Sequence, residues 1–209
     1  MKKIVLALVL VLSLGATQAQ TVSKATVDQY HQLIKLNQQS YEICDEQLAK
    51  WGFTHNKSGI VDVFTMQMHP YFRQEGQDTV GAMLGVIDGV VYSQSGIFSS
   101  KEPERTFSLI SWASAIQQQY ATSMGLTKFL CSVKGKVSNK FPKSQEELVK
   151  VLNGATADDV KMVYVTWKSA DGKVTLSLVY ENKRHGKKKT RATDRAEITL
   201  GYSTVPERQ

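Results

Sequence analysis

Residues 160–182 read VKMVYVTWKSADGKVTLSLVYEN. Val163, Val165 and Trp167 recur at every second position, and Val174, Leu176, Leu178 and Tyr180 do so again, with Thr175, Ser177 and Val179 between them. Successive strand residues point to opposite faces, so this pattern buries one face of each of two strands. Asp171-Gly172 between the runs is a hairpin-turn signal, because both residues tolerate positive φ. Ile198, Leu200 and Tyr202 repeat the alternation downstream. One apolar and one polar face predict an antiparallel sheet with a solvated side.

Upstream, Val80, Ala82, Leu84 and Val86 alternate, Asp88-Gly89 follows, and Val90 to Phe98 resumes. That is a second hairpin signal. Both runs read as strands, with Gly81, Gly85 and Gly96 as weak points, because glycine weakens a strand interior. Ile60 to Met68 is apolar on both parities and reads as a central strand. His69-Pro70-Tyr71-Phe72-Arg73 reads as a loop with a packed aromatic pair.

Thr26 to Trp51 reads as one long helix. Val27, Tyr30, Ile34, Tyr41, Cys44, Leu48 and Trp51 follow a 3,4 spacing, interrupted only by Asn37, and Gly52 supplies a stop. Pro103 opens a second helix carrying Leu109, Trp112, Ala113, Ile116 and Tyr120 on one face and ending at Gly125. Thr127 to Val133 is a short strand. Ser144-Gln145-Glu146-Glu147 matches a capping box for a helix over 145–152.

This order predicts an α+β fold: antiparallel sheet packed against a long N-terminal helix and a second helix. It is read as a single domain over 20–209, with two helix-plus-three-strand halves meeting near 101–104 as the alternative. The 209 residues are 42% hydrophobic and 22% charged, which excludes disordered, collagenous and polytopic membrane classes.

Residues 1–19 read as a cleaved signal peptide. Lys2 and Lys3 precede an apolar run from Ile4 to Ala16, and Thr17 and Ala19 suit a cut before Gln20. The run is short of the roughly 20 residues that a spanning helix needs. The expectation is a secreted or periplasmic protein with no transmembrane segment after signal cleavage. In an oxidising compartment Cys44 and Cys131 become a candidate disulfide, the alternative being two buried thiols.

The net charge is +7. Without Lys2 and Lys3 there are 24 basic against 19 acidic residues. Six of the 24, Lys183, Arg184, Lys187, Lys188, Lys189 and Arg191, fall in one stretch without an acid, and the remainder is nearly balanced. The stretch lies at the tip of a hairpin, where mutual repulsion is expected to keep it extended and solvated. These six form a candidate anion-binding surface for acidic polysaccharide, lipid head groups or an acidic protein. The lack of interleaved aromatics argues against nucleic acid.

Signatures of catalysis are weak. There is no G-x-S-x-G and no S-x-x-K. Cys131 sits in an apolar strand, a poor setting for a nucleophile. His31, His55, His69 and His185 lack metal-ligand spacing, so convergence of His55, Asp62 and His69 carries little weight. Asp158-Asp159 and Glu146-Glu147 suit a strand entry and a helix N-terminus. No cofactor is expected. The leading expectation is an exported non-enzymatic binding protein. Alternatives are an exported hydrolase with an unrecognised site, and an envelope structural or inhibitor-like protein that uses a sheet face.

Overall fold

The computed structural model describes residues 29–121, 123–133, 136–138, 152, 155–189, 191 and 194–205. The expected leader and all of the capping-box helix except Leu152 lie outside the described residues. The strands are β1 (Thr54–His55), β2 (Val61–Val63), β3 (Met66–Glu75), β4 (Asp78–Ile87), β5 (Val90–Ser100), β6 (Met124–Val133), β7 (Lys136–Ser138), β8 (Val160–Ser169), β9 (Val174–Asn182) and β10 (Ala196–Thr204). They form one antiparallel sheet in the order β1-β3-β4-β5-β10-β9-β8-β6-β7, with β2 beside β1 on the same edge of β3. The two meanders β3-β4-β5 and β8-β9-β10 meet where β5 pairs with β10 from Ser93↔Ser203 to Ser100↔Ala196. The halves therefore share one sheet.

The long N-terminal helix does not form. Residues 29–34 are helical, 35–38 turn, and a separate helix α1 (Tyr41–Lys50) begins after Ser40. The 3,4 spacing persists across the break, but backbone groups there bond elsewhere. Gln38 N–H donates to Val91 O at 2.7 Å, Tyr41 N–H to Gly89 O at 2.8 Å, and Val91 N–H to Gln39 O at 3.0 Å. Gln38 takes φ 62, and the Ser40 hydroxyl caps α1 by accepting from Ile43 N–H. The second helix is also split, into α2 (Pro103–Phe107) and α3 (Ile110–Tyr120). Gly125 lies inside β6 rather than ending a helix. The protein is thus mostly antiparallel sheet with short helices.

Two further expectations change. Ile60 to Met68 is a hairpin at the sheet edge, β2 turning at Phe64-Thr65 into β3, not a central strand. His69 to Arg73 is the middle of β3, not a loop. Pro70 is tolerated because it falls in the gap between the two short strands on the outer edge of β3.

The described helices lie on one face of the sheet. The Tyr30 ring covers Gly96, where a Cβ would meet Tyr30 Cδ2 at 3.4 Å. Phe107 of α2 meets Tyr180 edge-on at 5.9 Å. Val80, Leu84, Phe98, Leu178, Leu200 and Val165 are buried beneath them. Where the halves join, Tyr30 Oη donates to Gln117 Oε1 at 2.9 Å, and Gln117 Nε2 donates to Ser177 O at 2.6 Å and Gly201 O at 3.2 Å. This network is fully buried, and burial raises the Tyr30 pKa, so the phenol stays a donor.

Cys44 and Cys131 are free and buried, so the expected disulfide is absent. Cys44 lies in α1, which packs on β1 and β5, and its thiol faces Leu36 O at 3.6 Å. Cys131 lies on β6, four strands beyond β5 in the sheet order. At about 4.8 Å per strand that separation is far outside the roughly 7 Å limit for bridged Cα atoms.

Candidate functional site

The six basic residues of the sequence lie together on the β9–β10 connection. The segment is folded rather than extended, because two side chains organise its backbone. Asn182, buried, accepts from Arg184 N–H at 2.9 Å through Oδ1 and donates to Ala157 O at 2.9 Å through Nδ2. Asp194, also buried, accepts from Arg191 N–H at 2.9 Å and from Lys187 Nζ at 2.7 Å. Those contacts, the Arg191 N–H first, hold the Asp194 carboxyl below its usual pKa. Repulsion among the cations is offset by one buried carboxylate inside the loop.

The six are not equivalent. Lys183 is paired with Glu197 at 2.8 Å and Lys187 with Asp194 at 2.7 Å. Arg184 bonds the carbonyl of Lys101, which orients the guanidinium without neutralising it. Lys188, Lys189 and Arg191 are exposed and have no ion pair among the described residues. Four charges, Arg184, Lys188, Lys189 and Arg191, are therefore available to an anion.

A second cluster lies under α1 at the edge of the sheet. Tyr41 and Asp45 sit four residues apart on one face of α1. His69 and Tyr71 sit two apart on β3, and His55 of β1 is paired directly with Tyr71. Tyr71 Oη donates to Asp45 Oδ1 at 2.6 Å. With its one proton so used, Tyr71 accepts from Tyr41 Oη at 3.0 Å. Burial and the Asp45 contact push the Tyr71 pKa up. His55 stacks on Tyr71 at 4.5 Å and faces His69 at 5.4 Å, and His69 lies 4.4 Å from the Tyr41 ring. His55 Nε2 and His69 Nδ1 are both buried and without a hydrogen-bond partner among the described residues.

Of the triple considered from sequence, His55 and His69 meet. Asp62 lies on the same face but at the β2–β3 hairpin, where it accepts from Gln67 at 3.3 Å, and Asp45 takes the carboxylate position beside His55. Among the described residues no three His, Cys, Asp or Glu side chains are grouped to hold a metal. The cluster's chemistry is that of two imidazoles and two phenols, with burial favouring the neutral form of His69 and the protonated forms of Tyr41 and Tyr71. His31 bonds the Tyr120 hydroxyl, and His185 belongs to the basic turn. Burial pushes both Cys44 and Cys131 up to about 11, so neither is a thiolate at neutral pH.

The histidine pair predicts acid sensitivity. Burial first, and the neighbouring His55 second, hold the His69 pKa below 6.5. The unfolded chain therefore binds a proton that the folded chain refuses, and stability falls as pH drops below about 6.5. Urea midpoints between about pH 7.5 and 5 should show this fall, and His69→Gln should flatten it. An unchanged slope in the variant would remove His69 as the cause.

The chain matches no family model, no curated protein and no solved structure. No described helix is long and apolar enough to cross a membrane.

Proposed function

We propose that the protein is an exported, non-enzymatic binding protein that engages anionic surfaces through the β9–β10 loop. The observation that carries this reading is the use of two buried side chains, Asn182 and Asp194, to fold a cationic loop that leaves four charges without an ion pair among the described residues. A loop serving only solubility has no need of a buried carboxylate to shape it. An acidic polysaccharide or an anionic membrane surface offers the repeated negative charge that such a cluster fits.

Retention on a carboxylated polysaccharide matrix and on vesicles mixing neutral and anionic phospholipid tests it, at low and high salt. Each cation is worth about 1 kcal/mol near an anionic membrane, so changing Arg184, Lys188, Lys189 and Arg191 to glutamine should weaken vesicle binding roughly a thousandfold. Changing only Lys183 and Lys187, already paired, should have the smaller effect. Salt-insensitive retention, or equal loss from the two sets, would overturn the reading.

A further inference from the structure

We propose that His55 and His69 form an acid-sensitive latch: a proton taken up by the pair releases α1 from the sheet locally, while the rest of the sheet stays folded. The two imidazoles come from adjacent strands and face each other at 5.4 Å. His69 lies 4.4 Å and His55 6.4 Å from the ring of Tyr41 on α1. His55 Nε2 and His69 Nδ1 are each buried without a hydrogen-bond partner among the described residues. Both nitrogens of an imidazolium are donors. Whichever tautomer the neutral rings adopt, a proton on His69 puts an N–H at Nδ1, and a proton on His55 puts one at Nε2. Neither N–H meets an acceptor, and an unmet buried donor costs more when it is charged. Two charges this close, away from water, also repel each other.

The groups around the pair do not relieve this. α1 brings Tyr41 and Asp45, with Glu42 next to Tyr41, and β3 brings Tyr71. Asp45 Oδ1 already accepts from Tyr71 and stands 4.0 Å from His55 Nδ1. Asp45 favours a proton on His69, but burial and the neighbouring imidazole outweigh it. Arg73, two residues beyond Tyr71, is turned to Trp51 O and Glu75, and Lys57 after β1 is exposed. On the same rows β4 and β5 carry only uncharged residues, Leu84 and Ala82, then Gln94 and Gly96. α1 is the element that gives way. Of its ten residues only Cys44 and Leu48 are buried, and so short a helix is marginal without its docking contacts. It lies over β1, a two-residue strand at the end of the sheet, whereas β5, β10 and β9 are paired on both sides. Such an element can open at a lower free energy than the whole domain.

The two buried thiols supply the test, since Cys44 reports on α1 and Cys131 on β6. The folded chain is pulse-labelled with 4,4′-dithiodipyridine, which stays thiol-reactive in acid, between about pH 7.5 and 5. Peptide mass mapping reads each cysteine separately, and each rate is divided by that of the same cysteine in the urea-unfolded chain. An opening coupled to one proton at an ordinary histidine grows by at most about thirtyfold over that range. The Cys44 rate should rise by about fivefold to thirtyfold, and the Cys131 rate by less than about twofold. His69→Gln, neutral at every pH, should hold the Cys44 rate within about twofold. His55→Gln removes either a proton or the neighbouring charge and should at least halve the rise. A Cys44 rate flat with pH, an equal rise at both cysteines, or an undiminished rise in both variants overturns the latch. The equal rise would mean acid unfolding of the whole domain, and the wild type alone distinguishes it even where a variant does not fold.

Discussion

Phe98→Ala should lower the unfolding free energy by about 3–5 kcal/mol, the range for removing a fully buried phenylalanine. Phe98 is 1% exposed and lies on β5 between Val80 of β4 and Ile198 of β10. Its site is the seam where the two meanders join, so the cavity left by the ring is bounded by both. Stability of a domain is about 5–15 kcal/mol in total, so the variant should retain only a fraction of it. Because one sheet spans both halves, the loss should appear in a single transition. Urea curves followed by far-ultraviolet circular dichroism and by tryptophan fluorescence should coincide for wild type and variant. Trp51 and Trp167 report from opposite halves of the sheet. Two separated transitions would show that the halves unfold independently, and a loss below about 1 kcal/mol would place Phe98 outside the core.

Gln117→Leu should cost about 2–3 kcal/mol, although leucine is close in size and more apolar. Among the described residues the amide is the only hydrogen-bond partner of Tyr30 Oη besides the more distant Gly201 O at 3.3 Å, and it reaches two sheet carbonyls. Removing it leaves a buried hydroxyl undersupplied, and the cost of an unmet buried polar group exceeds the gain from a more apolar side chain. Tyr30→Phe alone should cost less, since Gln117 keeps its carbonyl partners. The double variant should lose less than the sum of the singles, because the phenol that suffers from the loss of Gln117 is then absent. A coupling of at least about 0.5 kcal/mol in denaturant unfolding would establish the network. Strict additivity would show that the two residues act separately.

The two variants bear on different stages of the same problem. Phe98 closes the apolar run that follows the Asp88-Gly89 turn, so its place in a strand is legible locally. Gln117 sits among Gln118 and Gln119 in a polar stretch at the end of a helix, and nothing local sets it apart from its neighbours. Its burial follows from the position of α3 over the β9–β10 pair. The histidine cluster has the same character. The i,i+4 spacing of Tyr41 and Asp45 and the i,i+2 spacing of His69 and Tyr71 are present in the sequence. Neither spacing states that α1 docks on β3, or that His55 adds a two-residue strand beside Tyr71.

The helix reading of 26–51 failed for a related reason. Periodicity reports which residues can share a face, and Tyr30, Leu33, Cys44 and Leu48 do all become buried. It does not report where backbone groups bond. The 38–41 segment exchanged helical hydrogen bonds for bonds to the β4–β5 turn and β5, an exchange available only once that hairpin is beside it. The Phe64-Thr65 turn was hidden because neither residue is a usual turn former, and an apolar run on both parities resembles a buried strand. Phe64 is fully exposed at that turn, outside the core.

What the sequence alone determined was the alternating core of β4, β8, β9 and β10, the apolar run of β5, the turns at Asp88-Gly89 and Asp171-Gly172, and the concentration of positive charge in 183–191. These follow from local rules, since side-chain alternation and turn conformation depend on neighbours in the chain. Only the tertiary structure decided that the meanders join through β5 and β10, that Cys44 and Cys131 stand apart, and that Asp194 folds the basic loop. The same holds for the meeting of His55 with His69. Each of those depends on contacts between residues far apart in sequence, and such pairings are set by the burial of the whole sheet rather than by any short stretch of it.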